Sequence, residues 1–179
     1  MTYWLKQFDK KCLEETTAKW TGVAAELDIP FHEYEKQLTW VGGHIDYTIY
    51  GDSYAYGVFA DESKVASAIA DIVYSKRAGP DIGSLKLLEL TMGPEHAQSQ
   101  VNTADKLLEV VRIYVSGILG TIALTDVHKA RVIKMYGHND QLKQVLVAVH
   151  LHFQSEIEQG KAIAFTSRIE GHWLVIAVN

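Results

Sequence analysis

A carboxylate set among leucines is the first residue here with the means to do chemistry. Glu89 stands between Leu88 and Leu90 in the strand-like stretch Leu85–Met92, and by alternation it shares a face with Leu87 and Thr91. A carboxyl buried among such neighbours keeps its proton to a higher pH than usual. His96 follows the end of that stretch and can serve as a base or a ligand contact. Gly93-Pro94 breaks the strand, and Ala97-Gln98-Ser99-Gln100-Val101-Asn102-Thr103-Ala104 forms a polar loop ahead of an amphipathic helix. The first N–H groups of a helix lack internal partners and suit an anion. His150 and His152 lie two positions apart on a helical pattern. They therefore point about 200° away from each other and do not chelate one metal together. His150 is the better functional candidate of the two. The sequence holds no HExxH and no paired strand histidines with a carboxylate partner, so no metal site is expected. Gly79-Pro80-Asp81-Ile82-Gly83 fits neither a Walker nor a Rossmann spacing.

The elements that must position these residues follow from periodicity. Thr2–Phe8 reads as a strand, and Cys12–Asp28 as a helix with Leu13, Trp20, Val23, Ala24 and Leu27 on one face, ended by Pro30. Phe31–Val41 is a second helix, which Gly42-Gly43 is expected to stop. Ile45–Ile49 and Tyr54–Ala60 flank a hairpin-type turn at Gly51-Asp52-Ser53, and the tyrosines 47, 50, 54 and 56 cluster around it. A further strand lies in Lys64–Arg77. Thr103–Gly120 is a strong helix with an apolar stripe that includes Leu108, Val111 and Val115. Ala130–Tyr136 reads as a strand, and Asn139 or Asp140 can cap a helix that runs to about Gln159 and stops at Gly160. A terminal hairpin joins Ala162–Ser167 to His172–Val178. The order β-α-α-β-β-β-α-β-α-β-β predicts a mixed sheet with helices on both faces, an α+β fold.

Composition narrows the classes. The 179 residues suffice for one domain, residues 1–179, with a substantial core. A net charge of -5 gives no support to nucleic-acid or anionic-membrane binding. The longest continuous apolar runs are too short to cross a bilayer, and charges interrupt the N-terminal segment where a signal peptide would be apolar. The expected location is therefore cytoplasmic. The single Cys12 excludes an internal disulfide and reads as a small packing residue. The four tryptophans are expected in the core.

The order of elements resembles the GCN5-related N-acetyltransferase (GNAT) superfamily over almost the whole chain. Two helices follow the first strand, Pro94-Glu95 follows the central strand, and Gly160 precedes the terminal hairpin. The resemblance implies acetyl-CoA as cofactor and an acyl transfer to a small-molecule or protein amine. It implies cofactor contacts at Leu90, Met92, Gln98, Gln100, Val101, Asn102, Thr103 and Asn139. The family pattern in the loop is Arg/Gln-x-x-Gly-x-Gly/Ala, because glycine lets backbone N–H groups approach the pyrophosphate closely. Here Gln100 and Asn102 stand where glycines are expected. The resemblance assigns the base to Glu89, on the fourth strand. It places the acid on a tyrosine of the last helix, but Asp140–Gln159 has none, so Tyr136 is the substitute.

Two readings of function follow, with a third beside them. One is an acyl-CoA-dependent N-acyltransferase. Another is a GNAT-like protein without catalysis, of the kind met in phage, acting as a binding or structural module. The third is a small ligand-binding α+β domain unrelated to that superfamily. The apolar strand His172–Val178 is a candidate edge for pairing with a second copy of the chain.

Overall fold

A computed structural model describes residues 2–45, 52–76, 83–160 and 165–178 of the protein. Its elements are β1 (Tyr3–Gln7), α1 (Lys10–Glu26), α2 (His32–His44), β2 (Ser53–Ala60), β3 (Ala66–Lys76), β4 (Gly83–Met92), α3 (Ala104–His128), β5 (Ala130–Tyr136), α4 (Asp140–Glu158), β6 (Phe165–Glu170) and β7 (Trp173–Val178). Short 3₁₀ turns at Pro94–His96 and Gln98–Gln100 separate β4 from α3. The strands form a seven-stranded sheet in the order β1-β2-β3-β4-β5-β7-β6. β4 and β5 are parallel, whereas β1–β2, β5–β7 and β6–β7 are antiparallel. This is the α+β order and the mixed sheet that the resemblance implies.

The chain divides into two compact units, Met1–Asp71 with Leu90–Gly117, and Ile72–Glu89 with Ile118–Asn179. In the first, α1 begins where the Asp9 carboxylate accepts the Cys12 N–H at 2.7 Å, an N-cap. Its inner face carries Cys12, Thr16 and Trp20. Thr16 and Trp20 lie one helical turn apart and hold one residue of β3 between them. The Ala66 N–H donates to Thr16 Oγ1 at 3.0 Å, and the Trp20 indole N–H donates to the Ala66 carbonyl at 2.8 Å. Phe8, Tyr34, Leu38, Val41 and Phe59 close the core around them. In the second unit, Leu85 and Leu87 of β4, Ile133 and Met135 of β5, and Leu174 and Ile176 of β7 are fully buried. Leu142 and Leu146 of α4 are buried with them.

Several boundaries differ from expectation for identifiable reasons. Gly42-Gly43 does not stop α2, which runs to His44. Glycine in a helix costs about 1 kcal/mol but ends it only where the backbone turns left-handed, and neither residue does so. Gly120 likewise lies inside α3, which ends eight residues later with Lys129 in the left-handed region at φ 49°. Buried Thr121 and Thr125 carry the inward face of α3 past Gly120. The resulting 25-residue α3 is, by length and composition alone, long and apolar enough to cross a membrane. Trp4 is 61% exposed instead of core, because β1 is an edge strand and alternation turns Trp4 outward. β7 is not an edge but lies between β5 and β6; β6 takes the edge. Gly160 ends α4 as expected, at φ 74°. Ile45, where a strand was expected to begin, keeps helical angles as the C-cap of α2, and the rest of that stretch, with Tyr47, Tyr50 and most of the loop 79–83, lies outside the described residues. Tyr54 is half-buried and Tyr56 buried, and burial pushes the Tyr56 hydroxyl's pKa up.

Candidate active site

The carboxylate that the sequence singled out sits where a strand pair ends. β4 and β5 pair from Gly83 opposite Ala130 to Leu87 opposite Met135, and the pairing stops there. β4 nevertheless continues through Leu88 and Glu89. At the same point the burial rhythm of β4 changes phase. Leu85 and Leu87 are buried at alternate positions, Leu88 and Glu89 are both half-buried, and burial resumes at Leu90. Glu89 is thus held by a rigid strand without being sealed into the core. Ligands of open sheets gather at the carboxyl ends of parallel strands, which is where Glu89 lies on β4.

His138, which the sequence reading passed over, lies just beyond the matching end of β5. His138 is exposed at the surface, yet partial desolvation of its ring lowers its pKa, and the nearby Glu89 carboxylate opposes that shift. The Asn139 amide donates to His138 Nε2 at 3.0 Å, and its carbonyl oxygen accepts the Leu142 N–H at 2.8 Å. Asn139 therefore caps α4 and fixes the imidazole beside it. Gly137 allows this turn to close, since a Cβ there would meet Lys143 Cα at 3.0 Å. We expect Asn139→Ala to lower stability by about 0.5–2 kcal/mol in urea denaturation. An unchanged midpoint would show that the cap contributes nothing. Tyr136 packs its ring against Trp173, at 4.9 Å between centroids, and against His172. The structure brings Glu89 and His138 into electrostatic range of each other, while Tyr136 sits as an aromatic of the sheet. His150 bonds Ser167 Oγ through Nδ1 at 2.9 Å. His152 is exposed on the same helix.

The first unit carries the loop between β4 and α3. Gly93 opens it, packed so closely on the Trp20 indole that a Cβ would lie 2.9 Å from the ring. Its N–H donates to the Ser67 carbonyl at 2.8 Å. Beyond it the loop bonds inward. The N–H groups of His96, Ala97, Gln100 and Asn102 donate to the carbonyls of Gly93, Pro94, Ala97 and Gln100. Gln100 and Asn102 are the positions where glycines were expected, and neither adopts a left-handed conformation. Thr103 caps α3, accepting the Lys106 N–H on Oγ1 at 3.2 Å. Val101 is half-buried, and the Gln98 side chain lies outside the described set. Leu90 is buried, with Cδ2 3.1 Å from where a Cβ on Gly117 of α3 would stand, and Met92 is half-buried.

His96 is only 5% exposed and faces α3. Burial lowers its pKa, the Glu95 and Glu109 carboxylates push it back up, and Lys106 lowers it. Glu109, in turn, accepts the Tyr3 hydroxyl at 2.8 Å. Nothing in the sequence pattern marked Tyr3 or Glu109, since the contact spans 106 positions and each reads locally as an ordinary strand or helix residue. A cavity of about 720 Å³ lies elsewhere in the second unit, lined by Tyr74, Lys76, Gly83, His128, Lys129 and Arg131. It sits at the amino ends of β4 and β5, away from Glu89 and His138.

No family model and no curated protein matches the sequence. Among solved structures, the chain is similar to the Salmonella typhimurium acetyltransferase that modifies the N-terminal serine of a 50S ribosomal subunit protein. The two share 11% identity over 100% of this chain and 95% of that one, at a TM-score of 0.46. It is similar as well to an acetyltransferase from Streptococcus agalactiae, with 12% identity over 100% and 99% of the chains at a TM-score of 0.42. A third, from Thermus thermophilus, shares 15% identity over 100% and 97% at a TM-score of 0.39. In its order of elements and its mixed sheet, with β4 and β5 parallel, the chain has a GNAT-like fold.

Proposed function

We propose that the protein is an acyl-CoA-dependent N-acyltransferase acting on an amine. The observation that carries this reading is Glu89 at the point where β4 and β5 stop pairing, with His138 within electrostatic range. Acyl transfer from a thioester needs one group to take the amine's proton and another to return a proton to the leaving thiolate. Glu89 is the base in this reading, and His138, in its imidazolium form, is the proton donor that stands in for the absent helix tyrosine. Acetyl-CoA is the cofactor proposed. Its pyrophosphate is assigned to the loop Gln98–Ala104 at the start of α3, where the N–H groups not bonded inward and the helix dipole favour an anion. The direct test is release of free thiol from acetyl-CoA in the presence of a panel of small amines and peptides. Amine-dependent release supports the reading, and none with any acceptor counts against it.

A second reading is favoured by the loop itself. With the Gln100 and Asn102 N–H groups turned inward, the protein can keep the fold and hold no pyrophosphate. The two readings part on one substitution. If the loop is a weakened cofactor site, Gln100→Gly frees its backbone and tightens acetyl-CoA binding roughly tenfold or more, because a hydrogen bond to a charged group contributes about 1.5–3 kcal/mol. If the loop is not a cofactor site, calorimetry of the variant shows no gain.

A further inference from the structure

His96, Glu109 and Tyr3 join three elements of the first unit in one short chain of polar groups. The imidazole belongs to the turn Pro94–His96, the carboxylate to α3 and the phenol to β1. Tyr3 donates its hydroxyl proton to Glu109 Oε1 at 2.8 Å, so one carboxylate oxygen is fixed. The other, Oε2, faces His96 Nδ1 at 3.9 Å, too far for a hydrogen bond. Nδ1 is buried and has no partner among the described residues. A buried donor or acceptor left unpaired is costly, and proteins rarely leave one without a reason.

We propose that this chain is a pH-operated latch, in which a proton on His96 draws the imidazole onto Glu109 and fastens the loop after β4 to α3. In the neutral form the ring stands off the carboxylate, and the turn is held by its backbone bonds and by the Lys106 ammonium of α3, which donates to the Glu95 carbonyl at 3.5 Å. In the charged form Nδ1 is a cationic donor facing a fixed anion, and the gap closes to hydrogen-bond length. The groups that face His96 are few. Glu95 lies beside it in the turn, and Glu109 and Lys106 come from α3. β1 contributes the Tyr3 hydroxyl, and α1 packs against the turn with the uncharged Trp20 under Gly93. Desolvation of Tyr3 and, after it, the Glu109 contact push the Tyr3 hydroxyl's pKa up, so it stays a donor throughout.

The direction of the pH response follows from burial. The folded protein protonates His96 less readily than the unfolded chain does. The unfolded state therefore binds more protons in the window just below the ordinary histidine range, and stability falls as pH falls through that window. The latch closes at the acid end of the window and offsets part of that loss. Its consequence for activity rests on the acyl-CoA reading above. A closed latch holds the loop with the N–H groups of Gln100 and Asn102 turned inward, so cofactor affinity declines across the same midpoint.

The test is a histidine NMR titration of the full chain without cofactor, following the His96 ring and the loop N–H signals together. The latch predicts one shared midpoint below the ordinary histidine range. In Glu109→Gln, at a partly exposed position, the ring's midpoint shifts to lower pH and the loop signals shift with it. Tyr3→Phe frees the carboxylate and weakens the linkage between ring and loop. A His96 midpoint unmoved by Glu109→Gln, or loop signals that ignore the ring's titration, would overturn the latch. Shared, Glu109-dependent midpoints in a protein that fails to bind acetyl-CoA would leave the latch standing and remove only the cofactor reading.

Discussion

Glu89→Gln is expected to slow acyl transfer by about 10²–10⁴-fold while leaving acetyl-CoA affinity unchanged, the usual contribution of a positioned acid or base. Gln is nearly isosteric and keeps the hydrogen-bonding shape but cannot accept a proton from an amine. The side chain is half-buried on the strand, and the Gln amide keeps polar atoms in the place of the carboxylate oxygens. Fold and cofactor binding should therefore survive, which separates a chemical role from a structural one. Single-turnover rates with saturating acetyl-CoA check this. A variant as fast as the parent would remove Glu89 from the chemistry, and a variant that unfolds would make it a structural residue.

The largest expected loss of stability is at Trp20. Trp20→Ala should cost about 3–5 kcal/mol, the range for deleting a large buried aromatic. Three contacts are lost together. The indole makes an edge-to-face contact with Tyr34 at 5.5 Å between centroids, donates to the Ala66 carbonyl, and fills the space beneath Gly93. Removing the donor leaves a buried carbonyl unpaired, and removing the ring leaves a cavity. For a chain of this length the loss corresponds to a fall in Tm of roughly 6–20 °C. Differential scanning calorimetry reads it, and a fall of only a degree or two would contradict the packing described. Because Gly93 begins the loop, the same variant should also increase hydrogen exchange at Pro94–Gln100.

Much of the fold is legible in the sequence because periodicity survives in it. The strand Ala130–Tyr136 is predicted to the residue, and the cap Asn139 and stop Gly160 follow from side-chain and backbone preferences that act locally. Gly42-Gly43 and Gly120 mislead because glycine permits a helix end without requiring one; the helix continues when the next turn has a buried face to place. Trp4 misleads because hydrophobicity says nothing of which strand lies at the edge of a sheet. At the candidate site, Glu89 and His96 stand out in the sequence as ionisable groups beside apolar runs. His138 could have been found as the polar aromatic just before a helix cap. Glu109 and Tyr3 could not, since their meaning lies in a contact between residues 106 positions apart.

The loop carries the central claim, and the sequence leaves it open in a way the structure makes specific. Gln100 and Asn102 do not imitate glycine: they take ordinary backbone angles and spend their N–H groups inside the loop. An acyl-CoA site here must either open those bonds or bind the pyrophosphate through the neighbouring groups at the start of α3. Either route costs affinity, so binding in the high micromolar to millimolar range is the expectation for the protein as it stands.

Isothermal titration of the full chain with acetyl-CoA, and with CoA as a control, tests this most directly. The account predicts weak saturable binding with one site per chain, tightened by Gln100→Gly. No heat and no thermal shift at millimolar cofactor, in the parent and in Gln100→Gly alike, would contradict it.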